Sequence, residues 1–433
     1  MERTYVCDIA SSTESTLLLR GWIHKIHDLG KITFIHLRDK TGIVQLVIDK
    51  DHKDSLKEHL RLEMSIEVTG SKVENPKAPQ GIEIEVASLT IKGKAYYDKL
   101  PFEINSGKMK ASLETQLDYR TMSLRMPKIR AIFKVQEEIT DAFRSYLKDL
   151  RFSEIHTPKI TSSSTEGGSE MFTVNYFERR ALLTQSPQFY KQMMVGAGFE
   201  RVFEIGHAYR AELHNTWRHL NEYVSLDVEL GFIENETDLM DLEEGFLKYL
   251  FSQIKKNCAQ ELDLYKIELP EITSIPRMTL SHAHDLLLDK YGKKSPTGNI
   301  DAEGEILLSK YIKETFGSDF VFLTRYPVAK RPVYTMPSDE DSTLTKSFDL
   351  IYKGLEITTG GQRIHDYEML KENIIKFGLN PEDFSFYLES FRYGMPPHGG
   401  FAIGLERLTM KILDLSNIRE STLFPRDIKR IEP

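Results

Sequence analysis

The spacing of apolar residues changes once along this 433-residue chain, and that change constrains its fold more than any other feature. Up to Leu100-Pro101 the apolar runs are short and often alternate with polar residues, at 17–22, 32–37, 43–48, 65–69, 82–86 and 89–91. A two-residue repeat in runs of this length predicts β-strands. Asp39-Lys40-Thr41-Gly42, between the second and third runs, has the residues of a hairpin turn. Only a charged stretch near 53–62 has helical spacing in this part. From Ile132 the period lengthens. Val135, Ile139, Phe143, Leu147 and Leu150 follow at helical intervals and predict one long amphipathic helix. It leads into an extended stretch, 152–160, interrupted by Pro158.

Five or six strands with little helix predict a small barrel of the oligonucleotide-binding type over residues 1–104. The polar segment 105–130, with Asp118, Arg120, Arg125 and Pro127, reads as a hinge. The remainder, 131–433, mixes strands and helices without the alternation of a parallel sheet. The expected class is therefore α+β, with an antiparallel sheet flanked by helices and a small helical insertion near 279–315. The net charge of -8 argues against a general nucleic-acid coat, which neutralises phosphates with a basic surplus. Any RNA contact must be local, because residues 1–105 themselves hold 15 Lys/Arg against 16 Asp/Glu. Cys7 and Cys258 are too few for a disulfide framework or a thiolate zinc site. No apolar run is long enough to cross a membrane, and Glu2, Arg3 and Asp8 stand where a signal peptide would be apolar. The expected location is the cytoplasm.

Phosphate chemistry usually announces itself through a glycine-rich loop, but neither GxxxxGK[ST] nor GxGxxG occurs. A nucleotide here must be held by side chains, and arginine, with its fixed fork of donors, suits that task. Three segments combine arginine with carboxylates and aromatics. One runs from Phe203 through Arg210, Glu212, Arg218, His219, Leu220 and Tyr223 to Asp227-Val228-Glu229. The second spans Gly354, Glu356, Thr359 and Arg363-Ile364-His365, and the third is Gly399-Gly400-Phe401-Ala402-Ile403-Gly404-Leu405-Glu406-Arg407. Singly, each has a plain explanation as a solvated ion pair or a tight turn. Their conjunction and order do not.

Together they resemble the class II aminoacyl-tRNA synthetases across essentially the whole chain. The first family motif is a long helix and strand ending in proline, matched by residues 132–158. The second is Arg-x-Glu, a loop and an aromatic, matched by Arg210, Glu212 and Tyr223; the third is a glycine-rich strand and helix with an arginine, matched by residues 399–407. Within the class the chain is similar to aspartate enzymes of archaeal type. Gln185-Ser186-Pro187-Gln188-Phe189-Tyr190-Lys191, Glu166-Gly167-Gly168-Ser169-Glu170, Arg218-His219-Leu220-Asn221-Glu222 and Leu423-Phe424-Pro425-Arg426-Asp427 carry that likeness. The large insertion of bacterial aspartate enzymes is missing.

The resemblance implies attack of an aspartate α-carboxylate on the α-phosphorus of ATP, displacing pyrophosphate, with positioning and charge neutralisation as the catalysis. It assigns catalysis to Arg210, Glu212 and Arg407, and ATP binding to these with His219, Leu220, Tyr223, Glu356 and Gly404. Magnesium would fall to Glu356 and Thr359, where related enzymes carry a serine at the second position. The aspartate side chain would meet Lys191 and Arg363; its ammonium would meet Asp227, Gln188 and Ser186, with Glu166 and Glu170 on a covering loop. Two cations reward an acid over its neutral amide, so no editing domain is expected.

On strand 33–38, alternation puts Phe34 beside His36 and Arg38, an aromatic among polar residues of the kind that stacks RNA bases, although for a lone Phe core packing is the commoner explanation. Gln45 is the lone polar residue of its run. The family reads an anticodon with a Phe and a Gln at this spacing. His24 and Pro79 resemble the subset that charges both tRNA(Asp) and tRNA(Asn), which implies a tRNA-dependent amidotransferase downstream. Strict enzymes tend to carry Trp and Lys there. The competing readings are a strictly discriminating aspartate enzyme, an asparagine enzyme, a paralogue making free asparagine, and an inactive RNA-binding protein. The helix-and-strand motif implies a homodimer.

Overall fold

The computed structural model describes the chain except residues 55–58, 106–108, 163–169 and 215, and the side chains of 53 and 54. Glu166 and its neighbours to Ser169 therefore lie outside the described residues. The chain divides into two compact units, Met1–Met126 and Pro127–Pro433.

In the first unit five strands, β1 (Thr16–Asp28), β2 (Ile32–Arg38), β3 (Ile43–Asp49), β4 (Ser65–Glu74) and β5 (Ile82–Gly93), close a barrel in the order β1-β2-β3-β5-β4. Alternation fills its interior with Leu17, Leu19, Ile35, Leu37, Val44, Leu46, Ile48, Ile66, Val68 and Ile84. The β2–β3 turn forms where expected, and the Asp39 carboxylate accepts from the backbone of Thr41 at 2.7 Å and Gly42 at 3.0 Å. Helix α1 (Lys50–Asp54) covers part of the charged stretch, and two short helices, α2 (Leu113–Asp118) and α3 (Arg120–Ser123), occupy the segment read as a hinge.

The second unit opens with α4 (Pro127–Asp149). This helix starts earlier than the apolar stripe suggested, because proline at the first position leaves no donor wanting a partner. It also ends sooner: Arg151 turns left-handed at φ 65 and Leu150 stays 37 % exposed. Of the extended stretch that follows, only β6 (Ser153–Glu154) and β7 (Ile160–Thr161) pair. Next come β8 (Thr173–Tyr176), β9 (Arg179–Leu183), α5 (Gln188–Met194), β10 (Arg201–Tyr209), β11 (Glu222–Gly231), α6 (Glu236–Asn257), α7 (Ala259–Tyr265) and β12 (Arg277–Thr279). Helices α8 (Leu280–Tyr291) and α9 (Ala302–Phe316) precede β13 (Phe320–Thr324), β14 (Ser347–Tyr352) and β15 (Leu355–Arg363). Helices α10 (Tyr367–Lys376) and α11 (Ser385–Phe391), strand β16 (His398–Gly404) and α12 (Leu405–Ile412) complete the unit.

Eight strands form one sheet in the order β12-β13-β14-β15-β16-β11-β10-β6. Its centre is antiparallel as expected, while the pairs β12/β13 and β10/β6 at its edges are parallel. One face packs on α4 and α6: Ile132, Val135, Ile139, Phe143 and Leu147 meet Leu226, Val228, Phe401 and Ile403 in a single apolar core. No helix among the described residues is long and apolar enough to cross a membrane.

Candidate active site

Strand alternation turns the opposite face of this sheet into a polar floor. On β11, Val224, Leu226, Val228 and Leu230 pack against the core, which leaves Tyr223, Ser225, Asp227 and Glu229 on the other side. Registers across β16, β15 and β14 set Asp227, Ala402, Thr359 and Asp349 in one row. Gly400 sits where a β-carbon would lie 2.3 Å from Glu229 Oε2 and 2.0 Å from Val228 O, so only glycine admits the buried carboxylate.

Above this floor lies a cavity of about 1010 Å³ lined by Ser186, Gln188, Lys191, Arg210, Tyr223, Glu356, Thr359 and Arg363 among others. Lys191, on α5, is 2 % exposed, with its ammonium 2.9 Å from Asp227 Oδ1 and 3.3 Å from Glu229 Oε2. Arg363 donates through Nε to Glu229 Oε1 at 3.0 Å, and through Nη2 to Gly400 O at 3.0 Å and Gln188 Oε1 at 3.3 Å. Burial would push the Glu229 carboxyl up, but Arg363 and Lys191 outweigh it and hold the group below the usual range. A relay orients the wall: Gln188 and Tyr387 donate to Gln192 Oε1, and the Gln192 amide donates to His398 Nε2 at 2.7 Å. Burial drives His398 down to about 4, so it stays neutral and can accept that bond. Asp227 is thus engaged by Lys191, and Glu170 is exposed and lines neither cavity; its backbone oxygen accepts from Ala211 N at 2.7 Å.

A second hollow of about 110 Å³ adjoins it, lined by Arg210, Glu212, Arg218, His219, Leu220, Tyr223, Glu356, Thr359, Gly404 and Arg407. Arg210 follows β10 directly, with its guanidinium 5.7 Å from the Tyr223 ring centre. Arg407 enters from the first turn of α12 and donates to Glu356 O at 2.9 Å. Burial, reinforced by Arg407 and Arg218, lowers His219 to about 4, while its Nε2 lies 3.5 Å from Glu212 Oε2. Between Thr358 and Glu356 the register of β15 against β14 slips by one residue. Such a bulge turns Ile357 and Thr358 toward the helices, where Thr358 donates to Glu243 Oε1, and brings Glu356 and Thr359 out together on the cavity side. The Thr359 hydroxyl then donates to Glu356 Oε1 at 3.1 Å. Two hard oxygens at the rim fit a magnesium ion, but no group of three His, Cys, Asp or Glu among the described residues could hold a metal. Phosphate oxygens would have to complete its shell.

In the barrel unit, Phe34 and Gln45 lie half-buried on neighbouring strands, His36 pairs across with Gln45, and Gln45 donates to Glu83 at 2.9 Å. Pro79 opens the turn before β5, beside Asn75, which also donates to Glu83. His24 is different. It is the extra residue of a bulge in β1, buried, with Nδ1 2.9 Å from Arg38 Nη1. Arg38 in turn grips Glu63 through both nitrogens at 3.1 and 2.6 Å, so the face it shares with Phe34 is closed at that end.

Sequence reasoning gave no role to Glu229, although it follows Asp227 by two on a period-two strand and so had to share its face. It also missed Glu305 on α9, buried, 3.0 Å from Arg218 and pushed up to about 7 by burial and then by Glu356. No local signal marks Glu305, since the contact spans some 90 residues of chain.

Two family models match the chain: tRNA synthetases class II (D, K and N) over residues 112–428 and an OB-fold nucleic acid binding domain over 17–92. The aspartate-tRNA(Asp/Asn) ligase of Thermus thermophilus is 47 % identical over 100 % of both chains. The aspartate-tRNA(Asp) ligase of Pyrococcus horikoshii is 46 % identical over 95 % of each. Among solved structures, asparaginyl-tRNA synthetase from Pyrococcus horikoshii complexed with asparaginyl-adenylate superposes with a TM-score of 0.92 at 30 % identity, covering 100 % of each chain. A polar sheet face with arginines at two strand ends, a closed barrel and these likenesses lead to one conclusion: the chain belongs to the class II tRNA synthetases of the D, K and N group.

Proposed function

We propose that the protein is an aspartate-tRNA ligase, which uses ATP to make aspartyl-adenylate from L-aspartate and transfers the aspartyl group to tRNA(Asp). The observation that carries this reading is the pair of buried cations, Lys191 and Arg363, lining a cavity continuous in its residues with the Arg210–Arg407 hollow. A β-carboxylate meeting both gains charge-assisted bonds that an amide cannot match. The names of the relatives at 46 to 47 % identity agree with an aspartate substrate. An asparagine enzyme is the rival that the structural likeness brings forward, and the signature ending in Lys191 weighs against it.

In the reaction no side chain acts as nucleophile. Ser186, Gln188 and Asp227, with Glu166 and Glu170, receive the substrate ammonium. Arg210 faces the α-phosphate, where charge develops as the aspartate carboxylate attacks, and Arg407 takes the far end of the triphosphate. Tyr223 and Arg407 flank the adenine. His219, Leu220, Glu212 and Gly404 shape the same hollow. Glu356 and Thr359 would hold Mg2+, which would supply charge neutralisation on the phosphates. Phe34 and Gln45 contact anticodon bases. His24 acts from beneath through Arg38, and Pro79 through the turn it opens.

The relaxed form, charging tRNA(Asn) as well, is part of the proposal and rests on His24 and Pro79. It entails an amidotransferase that converts the mischarged product. A cytoplasmic homodimer built on α4 completes it. The test is a charging assay crossing aspartate and asparagine with tRNA(Asp) and tRNA(Asn) transcripts. Aspartate should charge both; asparagine charged as readily as aspartate would remove the reading, and background charging of tRNA(Asn) would remove the relaxed form alone.

A further inference from the structure

The helical insertion has no place in the reaction as described, yet α9 ends its first turn against the nucleotide hollow. We propose that Glu305 is a positioning residue, through which the insertion holds Arg218 ready for the triphosphate and fixes the strand that carries Glu356. The inference rests on the synthetase reading for its ligand and goes beyond it in giving the insertion a task.

Glu305 has a side chain only 7 % exposed, and its Oε2 lies 3.0 Å from Arg218 Nη1. The same oxygen accepts from Glu356 N at 3.4 Å. One carboxylate oxygen therefore joins three segments distant in sequence: the loop between β10 and β11, the start of β15 and the insertion. The helix that carries it is well anchored. Asp301 caps α9 by accepting from Gly304 N at 2.9 Å, and Leu308 and Ile312 pack with Leu287, Val321 and Leu323 in a core of their own. Near the turn between β14 and β15, Ser309 Oγ accepts from Gly354 N at 2.8 Å. Gly354, at φ 74, approaches so closely that a β-carbon would come within 3.1 Å of Ile306 Cα. Arg218 lines the hollow with Arg210 and Arg407. A long cation held in place before the nucleotide arrives has less freedom to lose on binding, and phosphoryl chemistry of this type depends on such placement.

ATP affinity is measured by calorimetric titration, which needs no aspartate chemistry, and aspartate-dependent pyrophosphate exchange is run on the same preparations. Loss of exchange in the wild type would count against the synthetase reading, while the titrations still judge Glu305. Glu305→Ala should weaken ATP about tenfold and leave the KM for aspartate within about twofold. Glu305→Gln, whose amide oxygen can accept both bonds, should stay within about threefold, and Glu305→Asp, too short to reach, should weaken ATP about fivefold. Arg218→Ala should weaken ATP at least as much as Glu305→Ala, and the double variant should fall well short of the sum of the two losses. Ser309→Ala loosens the helix without touching the carboxylate and should leave ATP affinity unchanged. Additive losses in the double variant, a Ser309→Ala defect as large as that of Glu305→Ala, or unaltered ATP affinity in Glu305→Ala and Glu305→Asp would each overturn the proposal.

Discussion

Replacing Glu243 by glutamine should make the catalytic unit more stable relative to wild type as pH rises, by an amount the structure sets. Glu243 is fully buried on α6, behind the sheet, where its Oε1 accepts from Thr358 and its Oε2 has no partner among the described residues. Burial raises its pKa from 4.5 to about 8. Below the lower value the carboxyl is protonated whether the chain is folded or not, and it contributes no pH dependence. Between the two values the unfolded chain ionises while the folded one keeps its proton, so stability falls by about 1.4 kcal/mol per unit of rising pH. The full loss by pH 8 is about 5 kcal/mol, the product of that slope and the shift. Glutamine keeps the oxygen that Thr358 needs and has no proton to lose. The Gln variant should therefore equal the wild type within about 1 kcal/mol near pH 5 and exceed it by several at pH 8. Trp22 and Trp217 are the only tryptophans, so urea unfolding in a Trp22→Phe background lets Trp217 report the catalytic unit alone. Glu406 is also raised to about 8, but it is present in both proteins and cancels. Parallel stability curves from pH 5 to 8 would show that Glu243 ionises alike in the folded and unfolded chain.

Lys191→Met should lower kcat/KM for aspartate about a hundredfold, since it removes a charge-assisted bond to the substrate carboxylate worth roughly 1.5 to 3 kcal/mol; ATP affinity, read by titration, should change little. Phe34→Ala should raise the KM for tRNA by about tenfold, the value of a stacked base, with pyrophosphate exchange unaltered. Chelation of magnesium should abolish exchange without moving the urea midpoint, because no metal cluster among the described residues supports the fold.

Much of this architecture was legible because it depends on short-range periods. Alternation along 17–48 placed the barrel strands, and a helical stripe from Ile132 to Leu147 placed the helix that backs the sheet. The Asp39 turn was legible for the same reason, since its bonds close within three residues. What escaped depends on register and on distant contacts. The bulge at Ile357 brings Glu356 and Thr359 to one side, whereas strict alternation would have set them on opposite faces. Another bulge buries His24 against Arg38, so a residue marked by family likeness for RNA recognition stands behind a buried ion pair. The cavity wall was half legible: Lys191 and Arg363 came from family likeness, and period two put Glu229 on the face of Asp227, but that Glu229 joins the two cations depends on contacts distant in sequence.

Selection of an acid by Lys191 and Arg363, as proposed above, is read from pyrophosphate exchange with purified protein. Aspartate should drive exchange with kcat/KM at least about a thousandfold above that of asparagine, as expected of a site built on charged bonds. Equal stimulation by the two amino acids, or exchange driven by asparagine alone, would contradict it.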